Sequence, residues 1–349
     1  MDRSRLPERS LGSQPYCAAA VALAMYLWVA APRASVSSQP ATSSQALRVV
    51  ARIPLPGVEG RIDHMALDWK RQRLYVAALG SDRVDVVDLR AGRDTRRITG
   101  LKEPQGIAYC PAPDRLFVAS GEGGRCDVYD GGSLRHLTSV PGLEDADNVR
   151  CGPPPDRVYV GYGTGGLRVL NAGTGAKLGD VPLAGHPESF QLEKKGTRIF
   201  VNVPSARQVA VIDRNALRKL AKWPLSSARA NFPLVLDEAH HRLFVGCREP
   251  AVVLVLDTET GHQVALVGIG GDTDDLFYDT SRRLLYASCG EGSVSVIRQT
   301  DADHYAVVAR VPTAAEARTS LFVPESGRLY VAVPHRGGQQ AELLVLAPS

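Results

Sequence analysis

The chain has few aromatic residues and almost no net charge, and both shortages argue against nucleic acid as a partner. Aromatics make up 6% of the 349 residues, and the three tryptophans are scattered, so the sequence offers no stacking platform for single-stranded nucleic acid or a quinone. Basic residues outnumber acidic ones by only four, and the first 34 residues carry half of that excess. The remaining +2 gives no electrostatic case for a polyanion.

Cysteine is also scarce, and the six cysteines match no metal-binding motif because no CxxC occurs. One of them, Cys17, lies in an apolar run near the amino terminus. An oxidising compartment would allow up to two disulfides among the other five, with at least one thiol left unpaired within the chain. The alternative is that these side chains are small buried groups on strands. The five are Cys110, Cys126, Cys151, Cys247 and Cys289.

The sequence lacks an apolar run long enough to span a bilayer. Its most apolar stretch is residues 17–31, preceded by three arginines and followed by a Ser/Gln/Thr-rich tract. This pattern is typical of a secretory signal, since a membrane span needs roughly 20 residues. We predict a signal peptide over 1–34, a flexible linker over 35–45, a periplasmic or secreted protein and no transmembrane span after signal removal. Pro32 makes the cleavage site imperfect, so an uncleaved anchor is the alternative.

A repeated strand pattern is the most informative feature present. Seven copies of a Leu/Val/Ile-Tyr/Phe-Val/Ala-small segment recur at intervals of 41 to 44 residues, at 74–77, 116–119, 158–161, 199–202, 243–246, 285–288 and 329–332. Each copy is followed by a Gly-rich or polar turn and a further apolar strand, such as 84–88 or 209–213. A fixed period of this length indicates a repeat architecture.

Four short strands per period predict an all-β, seven-bladed β-propeller over residues 46–349. The last blade ends at 343–346 with no room for a fourth strand, while 47–53 precedes the first copy unassigned. We therefore predict that the N-terminal strand closes the last blade, because this pairs two otherwise exposed edges. We expect a monomer.

The chain resembles the YVTN-repeat β-propeller family, whose units read Tyr-Val-Thr-Asn followed by a Val-x-Val-Ile-Asp strand. The nearest echoes are 200–202 with 209–213, and 74–77 with 84–88. Members of that family include secreted binding proteins, and related propellers include lactonases and quinoprotein-like dehydrogenase subunits. The resemblance implies blades but no particular activity.

Strand direction predicts where a site lies, because the first strand of every blade enters the central channel from the same face. Counting back from each repeat gives a ring of unlike polar groups at this channel mouth, which is typical of a ligand site. The alternative is that these groups only solvate the mouth. The candidate ligand-binding residues are Arg61, Asp63, His64, Gln105, Asp147, Asn148, His186, Glu188, Arg229, Asn231, Asp274, Asp275 and Arg318.

The acidic members of this ring predict a divalent cation, with Asp147, Glu188 and Asp274 as candidate ligands. His64 or His186 beside them would also suit a transition metal. In contrast, Arg61, Arg229 and Arg318 favour an anionic ligand such as a carboxylate. A small molecule or a protein partner at this face remains open, and the longer loops at 248–250 and 335–340 would form its rim.

The main functional hypothesis is an exported binding protein, and the alternative is a metal-assisted hydrolase or lactonase at the same mouth. In the enzyme, His64 or Glu188 would accept the proton from a metal-bound water. Asp63 could orient His64, although neighbouring residues on a strand point to opposite faces and are not expected to touch.

Three motifs that could suggest functional sites are interpreted here as structural. The GxGxxG at 161–166 leads into a strand, so it is a hairpin turn and no dinucleotide cradle. His240 and His241 fall in a turn on the opposite face. Residues that end third strands are expected to form Asx turns: Asp88, Asp130, Asn171, Asp213 and Asp257.

Overall fold

The fold consists of seven four-stranded antiparallel sheets arranged as the blades of a β-propeller. The computed structural model describes residues 47–153, 156–163 and 165–348, so the predicted signal peptide and the whole predicted linker lie outside the described residues. Two single 3₁₀ turns, Leu79–Ser81 and Pro204–Ala206, are the helical elements of the described part. The all-β prediction is confirmed.

The strands follow one another in chain order through the blades. After β1 (Leu47–Pro54), blade 1 has β2 (Met65–Asp68), β3 (Arg73–Ala78), β4 (Arg83–Asp88) and β5 (Arg93–Ile98), and blade 2 has β6 (Pro104–Cys110), β7 (Arg115–Ser120), β8 (Arg125–Asp130) and β9 (His136–Pro141). Blade 3 has β10 (Val149–Cys151), β11 (Arg157–Tyr162), β12 (Gly166–Asn171) and β13 (Lys177–Pro182), and blade 4 has β14 (Phe190–Leu192), β15 (Arg198–Val203), β16 (Gln208–Asp213) and β17 (Arg218–Pro224). Blade 5 has β18 (Arg229–Asp237), β19 (Arg242–Glu249), β20 (Ala251–Asp257) and β21 (Gln263–Gly268), blade 6 has β22 (Thr273–Asp279), β23 (Leu284–Cys289), β24 (Ser293–Gln299) and β25 (Tyr305–Pro312), and blade 7 has β26 (Ser320–Val323), β27 (Arg328–Val333) and β28 (Glu342–Pro348).

Blade 7 is completed by the strand from the other end of the chain, as the sequence predicts. Its sheet order is β1-β28-β27-β26, and the register runs from Leu47 opposite Pro348 to Pro54 opposite Glu342. This pairing covers the edge of β28 that would otherwise be exposed. It also holds the ring of blades closed.

The repeated aromatic residue explains why successive blades pack together. It lies in the second strand of each blade and is at most 3% exposed in all seven copies. Seven apolar clusters result, each drawing its residues from two neighbouring blades. Burying one such ring stabilises the fold by about 2 kcal/mol. The aromatic residues are Tyr75, Phe117, Tyr159, Phe200, Phe244, Tyr286 and Tyr330.

The turns after the third strands have the predicted Asx geometry. Asp213 Oδ1 accepts hydrogen bonds from the backbone N–H groups of Asn215 (2.8 Å) and Ala216 (3.0 Å). Asn171 Oδ1 makes the same pair of contacts in blade 3. The GxGxxG segment connects β11 to β12, as a hairpin turn would.

One disulfide joins Cys110 of β6 to Cys151 of β10 and so links the first strands of blades 2 and 3. The other three cysteines of the described part, Cys126, Cys247 and Cys289, are free and buried. The structure therefore contains one of the two disulfides that the cysteine count allows.

Among the described residues, no helix is long and apolar enough to cross a membrane.

Candidate functional site

A small polar cavity lies at the channel mouth, where the first strands of the blades begin. The volume open to the centre of a water molecule is about 10 Å³. This is enough for one water molecule or one ion. An organic ligand would not fit inside it without rearrangement. The cavity is lined by Arg61, Asp63, His64, Asp147, Asn148, Glu188, Ser189, Phe232 and Asp274.

Equivalent backbone bonds bring three acids of this cavity to the same level of the channel. The N–H groups of Asp63, Asp147 and Glu188 each donate to the carbonyl of a repeat's fourth residue, at 2.8, 3.0 and 3.0 Å. The acceptors are Ala77, Gly161 and Asn202. The repeat thus fixes the backbone position, and the blades then supply different side chains.

Asp147 belongs to two groups of side chains that could hold a metal ion. In the first, His64 Nε2 lies 3.7 Å from both Asp63 Oδ1 and Asp147 Oδ1. In the second, His186 Nε2 lies 4.0 Å from Asp147 Oδ2 and from Glu188 Oε1. The donor atoms within each group are all within 4.8 Å of one another. Asp147 Oδ1 is buried without a hydrogen-bond partner.

The charges at the mouth perturb one another strongly. Burial and the neighbouring Asp147 raise the pKa of Glu188 to about 8. Burial likewise raises the pKa of Asp63, against the opposing effects of His64 and Arg61. Burial acts on Asp147 in the same direction, yet His186 and His64 outweigh it and the pKa of Asp147 is lowered. Asp147 therefore stays ionised at neutral pH, whereas Glu188 is largely protonated.

Asp274, the third predicted metal ligand, is engaged by arginines. Arg248 Nη2 lies 2.6 Å from one of its oxygens and Arg318 Nε lies 3.1 Å from the other. Asp272 shares the same two guanidinium groups. Asp274 lines the cavity but belongs to neither donor group. In the group that contains Asp147 and Glu188, the third member is His186.

Six predicted ligand-binding residues do not line the cavity: Gln105, His186, Arg229, Asn231, Asp275 and Arg318. Arg229 pairs with Glu249 at 2.5 Å and is more than half exposed. Asn231 is fully buried, and its amide donates to the side chain of Asn202 and to a backbone carbonyl. Gln105 reaches only the carboxylate of Asp145, at 3.4 Å. Of the three predicted anion-binding arginines, Arg61 is the one that lines the cavity, and its Nη2 lies 2.7 Å from Asp63 Oδ2.

Other predicted residues contribute from outside the cavity or contact each other unexpectedly. Asp275 lies beyond His64, with its Oδ1 3.8 Å from His64 Nδ1. Asp63 and His64 were not expected to touch, but their side chains approach within 3.7 Å. They precede β2, so the alternation of a strand does not apply to them.

Two arginines of the channel, Arg248 and Arg150, are not among the residues that the sequence pattern predicts for the site. Arg248 was assigned to a rim loop, but it lies in β19, stacks 3.7 Å from the ring centre of Phe232 and bonds Asp274. Arg150 lies two residues after Asn148 and donates to its side-chain oxygen at 2.9 Å. A strand's alternation could have identified Arg150, because residues i and i+2 share a face.

Comparison with solved structures identifies β-propellers. One similar structure is the Kuenenia stuttgartiensis hydrazine synthase, with a TM-score of 0.68 and 16% identity over 80% of this chain and 95% of that one. Another is a chain of a mitotic checkpoint complex, with a TM-score of 0.75 and 13% identity over 93% of this chain and 98% of that one. No family model and no curated protein matches this sequence. At these identities the likeness shows the fold alone: the chain is a seven-bladed β-propeller.

Proposed function

We propose that this chain is an exported β-propeller of the YVTN-repeat kind whose channel mouth binds one divalent cation through Asp147, His186 and Glu188. The observation that carries the proposal is the position of Asp147. Its carboxylate is shared by both donor groups: Oδ2 lies 4.0 Å from His186 Nε2, and Oδ1, on the side of His64, is buried without a hydrogen-bond partner. Asp147 and Glu188 line the ion-sized cavity, and His186 approaches both of them from outside it. Leaving such an oxygen unpaired is costly unless a ligand completes it.

The donor types favour a first-row transition metal or zinc. Two carboxylates and an imidazole are present, with His64 and Asp63 on the other side of Asp147 and no sulfur in either group. Imidazole nitrogen suits such metals, whereas calcium takes oxygen ligands alone. The imidazole–carboxylate separations of about 4 Å would shorten only modestly around an ion with bonds of roughly 2.1 Å.

Export is supported by two independent features. The arginines and apolar run within residues 1–34 are typical of a secretory signal. The Cys110–Cys151 disulfide lies in the blades themselves, and structural disulfides form mainly in oxidising compartments. Fractionation of the native host checks the location directly. Recovery of the protein in the cytoplasm with its full amino terminus would contradict export.

The metal proposal is tested by elemental analysis and native mass spectrometry on protein purified from an exporting host without chelator. We expect one divalent ion per chain. Asp147→Asn removes a charged ligand but little volume, so we expect at least a hundredfold loss of affinity, about 2.7 kcal/mol. A wild-type protein that takes up no zinc, manganese, nickel or calcium on titration would overturn the proposal. Recovery of such metal-free protein with a bound protein partner would favour a docking scaffold instead.

Asp274→Asn is the matched control. Asp274 lines the same cavity, but its oxygens are occupied by Arg248 and Arg318. We therefore expect this variant to keep the metal with less than threefold change in affinity. Equal losses in Asp147→Asn and Asp274→Asn would mean that general negative charge, and no defined coordination, holds the ion.

Hydrolysis is the second candidate, and the position of His64 favours it. Its imidazole lies 3.7 Å from Asp147, which is shared with the metal donors, and 3.7 Å from Asp63. A histidine held between carboxylates beside a metal is placed to accept a proton from an attacking water. An ester and lactone screen tests this. His64→Gln should abolish turnover while the metal is retained; turnover that survives in His64→Gln would exclude this role.

A further inference from the structure

A second and larger cavity lies below the channel mouth, and His64 separates the two. His64 lines both, with Nε2 toward the acids of the mouth and Nδ1 toward Asp275 of the lower chamber. The lower chamber has a volume of about 280 Å³. Leu67 and Tyr109 line it and also line the adjoining groove that contains Trp69, so the groove offers a route of entry.

The strand register shows which first-strand residues lie at one level around the channel. In every blade, one first-strand residue lies directly opposite the repeated aromatic residue of the second strand. Six of these seven residues are uncharged, and only blade 3 contributes a charge. The seven are Ala66, Ala108, Arg150, Gln191, Val235, Phe277 and Leu321.

Arg150 has donors to spare. Its guanidinium donates to the carbonyl of Val149 and to Asn148 Oδ1, both at 2.9 Å. Among the described residues no carboxylate lies within 4.0 Å of it, since it takes part in no ion pair. A guanidinium has five N–H donors, so three remain for another acceptor. Burial lowers the pKa of Arg150, which shows that its charge is poorly solvated.

Asp275 is the carboxylate that lines this chamber, and it forms no ion pair with Arg150. Its Oδ2 accepts from the backbone N–H of Ser320 at 2.7 Å, and its Oδ1 faces His64. Asp275 therefore leaves the charge of Arg150 without an ion-pair partner in the chamber. An anion entering the chamber would therefore meet an incompletely paired guanidinium.

The small residues determine where an apolar group would fit. Ala66 and Ala108 occupy the level of Arg150 on blades 1 and 2, blade 2 being the neighbour of blade 3, and both line the chamber. Phe277 and Leu321 line it from blades 6 and 7. A cation beside an open apolar space is complementary to an amphipathic anion.

We propose that the lower chamber binds a small organic acid, with its carboxylate on Arg150 and its apolar body against Ala66, Ala108 and Phe277. This site is distinct from the cation site at the mouth and goes beyond the proposed function. The planar carboxylate matches the fork of the guanidinium.

Calorimetric titration of the full chain with benzoate and hexanoate tests this proposal. We expect saturable binding of both acids, at least tenfold tighter than benzamide and hexanamide of the same shape, because a carboxylate makes charge-assisted hydrogen bonds to arginine and a neutral amide does not. Arg150→Met keeps the length of the side chain but removes the charge, and we expect it to weaken benzoate at least tenfold. Arg229→Met is the control, since this exposed arginine lies at the mouth, and it should bind benzoate like the wild type.

A second variant tests the apolar half of the site. Ala108→Leu places a larger side chain in the chamber, and we expect it to abolish benzoate binding. Asp147→Asn should still bind benzoate, which separates this proposal from the metal site. No saturable binding of either acid up to about 10 mM, equal binding of benzamide, or unchanged binding by Arg150→Met would each overturn the proposal.

Discussion

Carboxylates lie at both ends of the first strands, and their hydrogen bonding differs between the two ends. At the end away from the mouth, Asp279 accepts hydrogen bonds from Ser281, from both the backbone and side chain of Arg282, and from Tyr286. Asp68 is bonded in the same way by the backbone and guanidinium of Arg71. These acids have every acceptor occupied by groups a few residues along the chain.

At the mouth the backbone groups are hydrogen-bonded, but the side-chain acceptors are not all paired. Asp147 donates its N–H to Gly161 and its carbonyl packs against Gly106, yet its Oδ1 has no hydrogen-bond partner. His64 approaches three carboxylates but none closer than 3.7 Å. The comparison separates acids that stabilise a turn from acids positioned for a ligand.

The largest effect we predict comes from Gly106, because it fixes the backbone of Asp147. A Cβ at this position would lie 1.9 Å from the carbonyl oxygen of Asp147, and a backbone atom cannot yield as a flexible side chain can. We expect Gly106→Ala to lower the free energy of unfolding by about 3 kcal/mol and to impair metal uptake. Urea unfolding and elemental analysis measure both. Gly268→Ala, where nothing lies within 4 Å of the new Cβ, should be neutral.

The next largest effect should distinguish the two ends directly. Asp279→Ala removes the five hydrogen bonds of a buried carboxylate and leaves the buried hydroxyl of Tyr286 unpaired, and we expect a loss of about 2–3 kcal/mol. Asp147→Ala removes an acid that is crowded by other acids, and we expect a loss of less than about 1 kcal/mol. Urea unfolding of both variants without metal measures the difference. Similar losses would mean that Asp147 is as structural as Asp279.

The fold was predictable because its signal repeats. The buried aromatic, the Asx turns and the closing strand follow from patterns that recur at a fixed period, and a pattern repeated seven times averages out local ambiguity. The convergence of Asp63, Asp147 and Glu188 was predictable for the same reason, since they occupy equivalent positions.

The contacts within the site were not predictable from spacing. Whether Asp274 faces a metal or an arginine depends on Arg248 and Arg318, which come from neighbouring blades. Asn231 occupies a polar position of the ring in sequence but turns into the space between blades, where Asn202 pairs with it. Such pairings depend on side-chain direction and not on the repeat.

A smaller effect concerns protons at the mouth. Because the pKa of Glu188 is raised to about 8, Glu188 is largely protonated at pH 7 in the metal-free protein and must lose that proton to bind a cation. Against the opposing effect of burial, the carboxylates around His186 raise its pKa, so this ligand must lose its proton as well. We expect release of at least one proton per metal bound at pH 7, and an affinity that rises with pH until about 8. Calorimetry in two buffers of different ionisation enthalpy measures this. Glu188→Gln should bind metal more weakly and release fewer protons on binding. An unchanged number of released protons would assign the proton to another group.

The smallest effect is expected where the blades themselves show that a substitution is tolerated. Asp213 and Asn171 make the same turn contacts, so Asp213→Asn should change the free energy of unfolding by less than about 0.5 kcal/mol, whereas Asp213→Ala loses the acceptor and should cost about 1 kcal/mol. The backbone donors of Ala216 and Asn215 lower the pKa of Asp213. The stability it adds is therefore complete above its unfolded pKa of about 3.9 and is lost as the pH falls through the lower folded value. Urea unfolding at pH 7 and pH 3 should show Asp213→Asn less sensitive to acid than the wild type. Equal sensitivity would mean that the carboxylate charge adds nothing to the turn beyond the oxygen that asparagine also provides.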